Sequence, residues 1–297
     1  MLSILIPVYN INVTKLVVNL QLQCTKANIN FEILCYDDDS RDSVKNKNKP
    51  ISQLFGVSYV ELNENKGRAG IRNALARYSN HPYLLFIDAD SKLPNKSFIK
   101  NYLPYLRQDT VIYGGRSYVK RKPKSKSKIF HWTYGTSREA LPAKKRNKRK
   151  YMRFMSNNFI VPRKIFESIL FDAKHDGYGY EDTIFATKLS EQKIPILHID
   201  NPVLHGDVDL NQVYYQKTHQ SLKNLDSIYK TKMIEPEFTT FLKVFMKLEK
   251  FKLNYLFALF YKILSPFFTF NLTSKYPSLY VFELFRLSYF CNINLKK

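Results

Sequence analysis

Tyr83-Leu84-Leu85-Phe86-Ile87-Asp88-Ala89-Asp90 is the stretch on which the reading of this chain turns. An uncharged apolar run of this length reads as a short buried strand, and two carboxylates one residue apart stand where it ends. Hard divalent cations favour oxygen ligands, and an ion shared with substrate phosphates needs only one or two protein carboxylates. Taken alone, an Asp-x-Asp is equally the solvated end of a strand, so its meaning rests on the segments around it.

Upstream, residues 2–9, 31–36 and 57–62 are apolar runs of strand length, like residues 83–88, and residues 13–27 and 68–78 carry helical spacing between them. Strand–helix alternation predicts an α/β fold, a sheet covered by helices with ligands at the carboxyl ends of its strands. Asn10, Asp37-Asp38-Asp39 and the Asp88/Asp90 pair all stand at such ends. Downstream, residues 181–192 read as a helix entered through a Gly-rich turn, and residues 194–200 as another strand, ending near His205.

Composition excludes some classes. With 44% hydrophobic and 15% aromatic residues, the 297-residue chain can bury a sizeable core, so disorder is not the default. Cys24, Cys35 and Cys291 follow no metal or redox spacing and fit a reducing compartment. Residues 2–9 are too short for a secretory signal and lack a basic lead, so a cytoplasmic location is expected.

The net charge of +22 is concentrated. Residues 116–150 hold 14 Lys/Arg against Glu139, and residues 241–297 hold nine against Glu249 and Glu283. These stretches carry +13 and +7, leaving a nearly neutral remainder, which favours surface attraction to phosphates or anionic lipid over a globally basic nucleic-acid binder. Residues 116–150 are expected to be a flexible basic segment, either a solvated loop or a flap facing phosphates. In residues 241–297, an amphipathic helical extension, Lys262 and Pro266 interrupt the uncharged runs, which fall short of the roughly 20 residues a spanning helix needs. Such an extension either lies peripherally on the inner face of the cell membrane or packs on the catalytic domain.

Four consecutive motifs carry a resemblance. Ile4-Leu5-Ile6-Pro7-Val8-Tyr9-Asn10, Tyr36-Asp37-Asp38-Asp39-Ser40-Arg41-Asp42, Asn65-Lys66-Gly67-Arg68-Ala69-Gly70-Ile71-Arg72-Asn73 and Phe86-Ile87-Asp88-Ala89-Asp90 occur in that order. In this the chain resembles glycosyltransferase family 2, inverting enzymes with the GT-A fold, a Rossmann-like mixed sheet flanked by helices. Asp39 stands where the family has glycine. Gly177-Tyr178-Gly179-Tyr180-Glu181-Asp182 is similar to the family's Trp-Gly-Gly-Glu-Asp element. The stretch from Tyr134-Gly135 to Phe154-Met155-Ser156-Asn157-Asn158 resembles members from bacterial surface-polysaccharide loci.

The resemblance implies a catalytic domain over residues 1–240, with a nucleotide-sugar half (1–115), the basic segment (116–150) and an acceptor half (151–240). Asp38 would accept a hydrogen bond from the nucleobase, with Pro7 and Tyr9 shaping its pocket. Arg68 and Arg72 would serve base, ribose or phosphate, and Asp88 would touch the ribose or assist the metal. Asp90 and His205 would ligate Mn2+ or Mg2+ on the donor diphosphate. Asn157 or Asn158 would hold sugar hydroxyls, and Arg146 would reach the diphosphate. Asp182 would be the catalytic base, with Glu181 and Tyr180 on the acceptor sugar; His198 reads as packing. The expected activity is metal-dependent inverting transfer from a nucleotide-sugar, a UDP-sugar by the Asp38 assignment, to a glycan or lipid-linked acceptor. A sugar-phosphate nucleotidyltransferase would share the sheet but opens on a Gly-rich phosphate loop, absent from residues 6–10. A nucleic-acid-binding protein would explain residues 120–150 but neither acidic motif.

Overall fold

The computed structural model describes residues 1–173 and 177–295. The chain forms two compact units: residues 1–117, 140–176 and 188–206 make the first, and residues 118–139, 177–187 and 207–297 the second.

Among the described residues there are ten strands, all in the first unit. They are β1 (Leu2–Val8), β2 (Phe31–Asp37), β3 (Val57–Glu61), β4 (Tyr83–Ile87) and β5 (Ser91–Lys92). β6 (Val111–Tyr113), β7 (Arg116–Ser117), β8 (Asn158–Pro162), β9 (Ile196–His198) and β10 (Val203–His205) follow. Seven form a sheet in the order β3-β2-β1-β4-β8-β6-β9. β1 runs parallel to β2 and β4, whereas β8 is antiparallel to both β4 and β6. β1 lies inside the sheet with β2 and β4 on either side, which is why consecutive residues Ile4, Leu5 and Ile6 are all apolar and fully buried, as is Leu2. Phe86 on β4 stacks on Phe159 with ring centroids 4.9 Å apart and on Phe166 at 5.1 Å, so the strand delivering Asp88 and Asp90 is seated on aromatic packing.

The remaining strands form a small sheet in the order β5-β10-β7. A single strand over residues 194–200 was the expectation; the chain instead makes two. β9 stays in the large sheet, and Asn201-Pro202 turns the chain so that β10 enters the small one. Asn201 fixes this switch: its N–H donates to Gly114 O at 3.1 Å and its Nδ2 to Phe98 O at 2.9 Å, while Pro202 has no N–H to continue a ladder.

The basic segment, expected as a solvated loop or a flap facing phosphates, contains regular structure. It contributes β7 and the helices Ile129–Tyr134 and Ala143–Asn147. Phe130 supplies the anchor: it is fully buried in the second unit, edge-on to Tyr214 and Phe282 at 5.0 and 4.8 Å. Charge runs read as solvated in sequence, but one aromatic at the right position commits the backbone.

The second unit is helical. Asn211–Lys230, Thr240–Lys250, Asn254–Thr273 and Leu279–Asn294 enclose Leu222, Leu225, Phe245, Phe268, Leu272 and Phe285. Thr239 and Ser278 cap two of these helices, accepting from the N–H of Leu242 and Val281. Pro266 does not interrupt the third: Asn254–Thr273 is continuous over 20 residues, long and apolar enough to cross a membrane by length and composition. Proline forfeits one helical hydrogen bond, and burial of Ala258 before it and Phe268 and Leu272 after it holds both halves on one axis.

Gly114 sits where β6 leaves the sheet, and a Cβ there would collide with Tyr102 Oη, the Asn158 amide and Asn201 O. Gly114→Ala is expected to lower stability by about 1–3 kcal/mol in urea denaturation, because three bonded groups must move. An unchanged midpoint would contradict this packing.

Candidate functional site

The carboxyl ends of β1, β2 and β4 and the small sheet meet at one edge of the first unit. Asp38 follows β2, and its N–H donates to Val8 O at 2.8 Å. The Asp38 carboxylate is 4% exposed and accepts from the Lys66 N–H at 2.7 Å, while Asn65 Nδ2 donates to its carbonyl at 2.9 Å. The Asn65–Gly67 turn is thereby clamped to the end of β2, with Gly67 at φ +67°. Burial pushes the Asp38 carboxyl above the ordinary range, helped by Asp37 and opposed by the N–H groups of Lys66 and Gly67. Asp37 is structural, its oxygens taken by the Ser40 N–H and the Tyr59 hydroxyl, each at 2.7 Å. Asp39 adopts φ +63°, the left-handed region that accounts for glycine at this place in related sequences and that Asp tolerates better than most side chains. Pro7 is half-buried on β1, and Tyr9, just beyond it, is exposed.

Arg72, on the helix Gly67–Arg77, is 3% exposed. Its Nη1 donates to Arg68 O at 2.9 Å and its Nη2 to Asp88 Oδ1 at 2.7 Å, so it holds the Asp88 carboxylate at the end of β4. Arg116 Nη2 lies 3.8 Å from the other Asp88 oxygen. Two residues on, Asp90 Oδ2 is 3.0 Å from His205 Nδ1. Burial alone would raise the Asp90 carboxyl, but His205, Arg116 and Arg68 outweigh it and hold it below the ordinary range.

This assembly follows from strand pairing. In the small sheet His205 lies opposite Ser91, the residue after Asp90, and Val203 lies opposite Arg116. Gly206 lets the chain pass against the Asp90 carbonyl, where a Cβ would not fit. Among the described residues no group of three or more His, Cys, Asp and Glu side chains gathers around one point. Asp90 and His205 nevertheless fit a shared divalent ion. Donors on adjacent corners of an octahedron with bonds of about 2.1 Å stand about 3.0 Å apart, and substrate oxygens or water complete such a shell.

Two expected ligand contacts are not available. Asn158 is fully buried, with its amide committed to Tyr102 Oη at 2.6 Å and to the carbonyls of Gly115 and Asn201 at 3.0 and 2.9 Å. It braces the Gly114-Gly115 turn and faces no ligand. Arg146 is likewise interior, bonded to the carbonyls of Leu141, Tyr113, Gly114 and Ile199 and to His198 Nδ1. It therefore does not reach a diphosphate. Asn157 differs from its neighbour: its carbonyl accepts the Asp88 N–H at 3.1 Å, and its Nδ2 is buried without a hydrogen-bond partner among the described residues. Arg116 went unassigned in the sequence because only the β7–β10 pairing shows its proximity to Asp88. His198 packs on Tyr113 and bonds Lys150 O, as its strand position implied.

The second unit holds the Glu-Asp motif at the start of the helix Glu181–Glu191. Gly179 and Tyr180 have φ of +83° and +71°, so the turn before the helix carries backbone strain at a non-glycine residue. Asn224 Nδ2 donates to Gly179 O at 2.6 Å, and Arg286 hydrogen-bonds Tyr180 from the last helix. Arg286 is in turn held by Glu283 at 3.0 Å and stacked over Phe241 and Phe282. Asp182 Oδ1 accepts the Thr183 N–H at 2.7 Å, and both Glu181 and Asp182 are half-buried. Residues 210 and beyond show no motif in sequence, so neither Asn224 nor Arg286 was assignable to this turn.

The profile of the Glycosyl transferase family 2 matches residues 3–170. Chondroitin synthase from Escherichia coli is 26% identical over 122 residues, covering 40% of this chain and 18% of the synthase. Two solved structures share the fold. One is a Pyrobaculum calidifontis mannosyltransferase in complex with GDP-Man and Mn2+ (TM-score 0.53, 16% identity, covering 77% of this chain and 64% of that one). The other is S. aureus TarS in complex with UDP-GlcNAc (TM-score 0.50, 16% identity, covering 75% and 66%). The mixed sheet flanked by helices is accordingly the GT-A architecture, followed by C-terminal helices.

Because the Asp90 carboxyl is depressed in the folded state, its charge stabilises the fold above the ordinary aspartate range, and that contribution is lost as pH falls below it. Replacing His205 by Ala leaves the burial and removes the nearest counter-group. The Asp90 titration, followed by carboxyl carbon NMR, is expected to move upward in His205→Ala. An unmoved titration would remove His205 as its partner.

Proposed function

The chain belongs to glycosyl transferase family 2, and from that premise we propose a metal-dependent inverting glycosyltransferase that moves one sugar from a nucleotide-sugar to a glycan or lipid-linked acceptor. The observation that carries this reading is the charged edge of the first unit. There Asp38, Arg72, Asp88, Arg116, Asp90 and His205 converge from separate strands and loops. Acidic and cationic groups interleave, as a diphosphate with its counter-ion and a base–ribose moiety would require.

Asp38 accepts a donor group of the nucleobase, a UDP base suiting an acceptor-only carboxylate whose other contacts are backbone. Pro7 and Tyr9 line the base, the exposed Tyr9 ring offering a face for stacking. Asp88, oriented by Arg72, takes the ribose hydroxyls, and Arg68 and Arg116 face the phosphates. The unpartnered Asn157 Nδ2 is a donor for the ligand in place of Asn158. Asp90 and His205 hold the divalent ion, Mn2+ in preference to Mg2+ because imidazole is a softer ligand than carboxylate. When bound, the ion neutralises charge on the departing diphosphate. That one solved structure sharing the fold is a complex with GDP-Man and Mn2+ supports this expectation without transferring its sugar.

Asp182 acts as the base. As the acceptor oxygen forms its bond to the anomeric carbon, the bond from that carbon to the diphosphate breaks on the opposite face and the acceptor proton passes to Asp182. A carboxylate in the first turn of a helix is favoured in its charged form, the form that accepts a proton. Glu181 and Tyr180 orient the acceptor sugar. The chain spans 18% of the curated relative it matches, so donor sugar and acceptor are for experiment to assign.

Screening nucleotide-sugars with Mn2+ for slow hydrolysis identifies the donor. With that donor, Asp182→Asn is expected to lower kcat by about 10²–10⁴-fold while UDP affinity stays within a few-fold. Wild-type turnover in Asp182→Asn would remove it as the base.

A further inference from the structure

The helix Asn254–Thr273 has two apolar faces, and only one is used. Asn254, Ala258, Phe268 and Leu272 point into the core of the second unit. On the opposite side Tyr255, Leu256, Leu259, Ile263, Phe267 and Phe270 are 45–76% exposed and form one stripe along the whole helix. Monomeric soluble proteins seldom leave so long an apolar stripe in water. Lys262 is the helix's single charged residue.

The charge of the chain segment that carries this stripe points to its occupant. Residues 240–280 contain six lysines, Lys243, Lys247, Lys250, Lys252, Lys262 and Lys275, against Glu249 alone, and all six are exposed. An apolar, aromatic stripe in a segment with exposed lysines before, within and after it in sequence matches the headgroup layer of a bilayer bearing anionic phospholipid. A second copy would bring the same lysines toward each other across an isologous contact, which like charge disfavours. Spanning would strip Phe268 and Leu272 from a core in which both are fully buried.

We propose that this helix lies in the surface of an anionic phospholipid bilayer, its outer stripe at the headgroup–acyl boundary and the neighbouring lysines against lipid phosphates. The surface is separate from the donor site and goes beyond the glycosyltransferase reading. It gives that reading a place to work, at a membrane carrying a lipid-linked acceptor.

The test is flotation of the full chain with phosphatidylcholine vesicles and with phosphatidylcholine–phosphatidylglycerol vesicles, without donor or acceptor. Binding to the anionic vesicles alone is expected, released by high salt and by alkaline carbonate. Ile263→Glu with Phe267→Glu should abolish it, and with both side chains at least half exposed the melting temperature should hold. If that variant misfolds, salt and lipid dependence of the wild type decide the matter. Lys243→Gln, Lys247→Gln and Lys250→Gln together should weaken partitioning on the order of a hundredfold, roughly fivefold per lysine. Carbonate-resistant association would overturn the proposal in favour of a spanning helix. Dimerisation without vesicle binding would overturn it in favour of a second copy, and no binding by either form would overturn it outright. None of these outcomes depends on transferase activity, so the surface and the donor site fail or stand separately.

Discussion

The pairing of β10 with β5 on one side and β7 on the other holds the charged edge of the first unit together. The large sheet alone brings Asp38 and Asp88 to the ends of β2 and β4, the two strands that flank β1, and Arg72 fixes Asp88. It contributes no partner for Asp90. That partner arrives because Asn201 and Pro202 take the chain out of β9 and into β10, which sets His205 opposite Ser91 and Val203 opposite Arg116. Gly114, Gly115 and Gly206 are small because backbone or side chains pass against each of them at this crossing. A few ladder hydrogen bonds thus decide whether Asp90 is a solvated strand end or stands 3.0 Å from His205.

That dependence explains what could be read from the chain. The first four strands and the helices after β1 and β3 begin and end within one residue of where apolar runs and helical spacing put them, because these elements bury their own patterns locally. The acidic motifs were legible for the same reason: each follows its strand directly. Residues whose role depends on distant pairing were not. Arg116 and Arg146 are both arginines of the basic segment, yet one meets Asp88 and the other fills a cage of carbonyls. Asn157 and Asn158 are adjacent, yet Asn158, the first residue of β8, sends its amide into the Gly114-Gly115 brace, while Asn157, in the turn before the strand, keeps an open donor among the described residues. Pro266 misled for a different reason, since local propensity yields when both halves of a helix are buried on the same face.

The second unit uses its helices to support an acidic turn. Two residues in left-handed conformation precede Glu181 and Asp182, and Asn224 and Arg286, from two later helices, hold that turn. The C-terminal region is therefore more than an appendage: one of its helices braces the Glu-Asp motif, and another presents an unpartnered apolar stripe beside lysines. Membership of glycosyl transferase family 2 makes sugar transfer the chemistry of the chain.

The assignment of Asp90 and His205 as a cation site for a nucleotide diphosphate is tested most directly by calorimetric titration of UDP into the full chain, with Mn2+ and with a chelator. Binding that needs the divalent ion, and that His205→Ala or Asp90→Ala weakens without unfolding the protein, is the expected result. Equal UDP affinity in the chelator would contradict it.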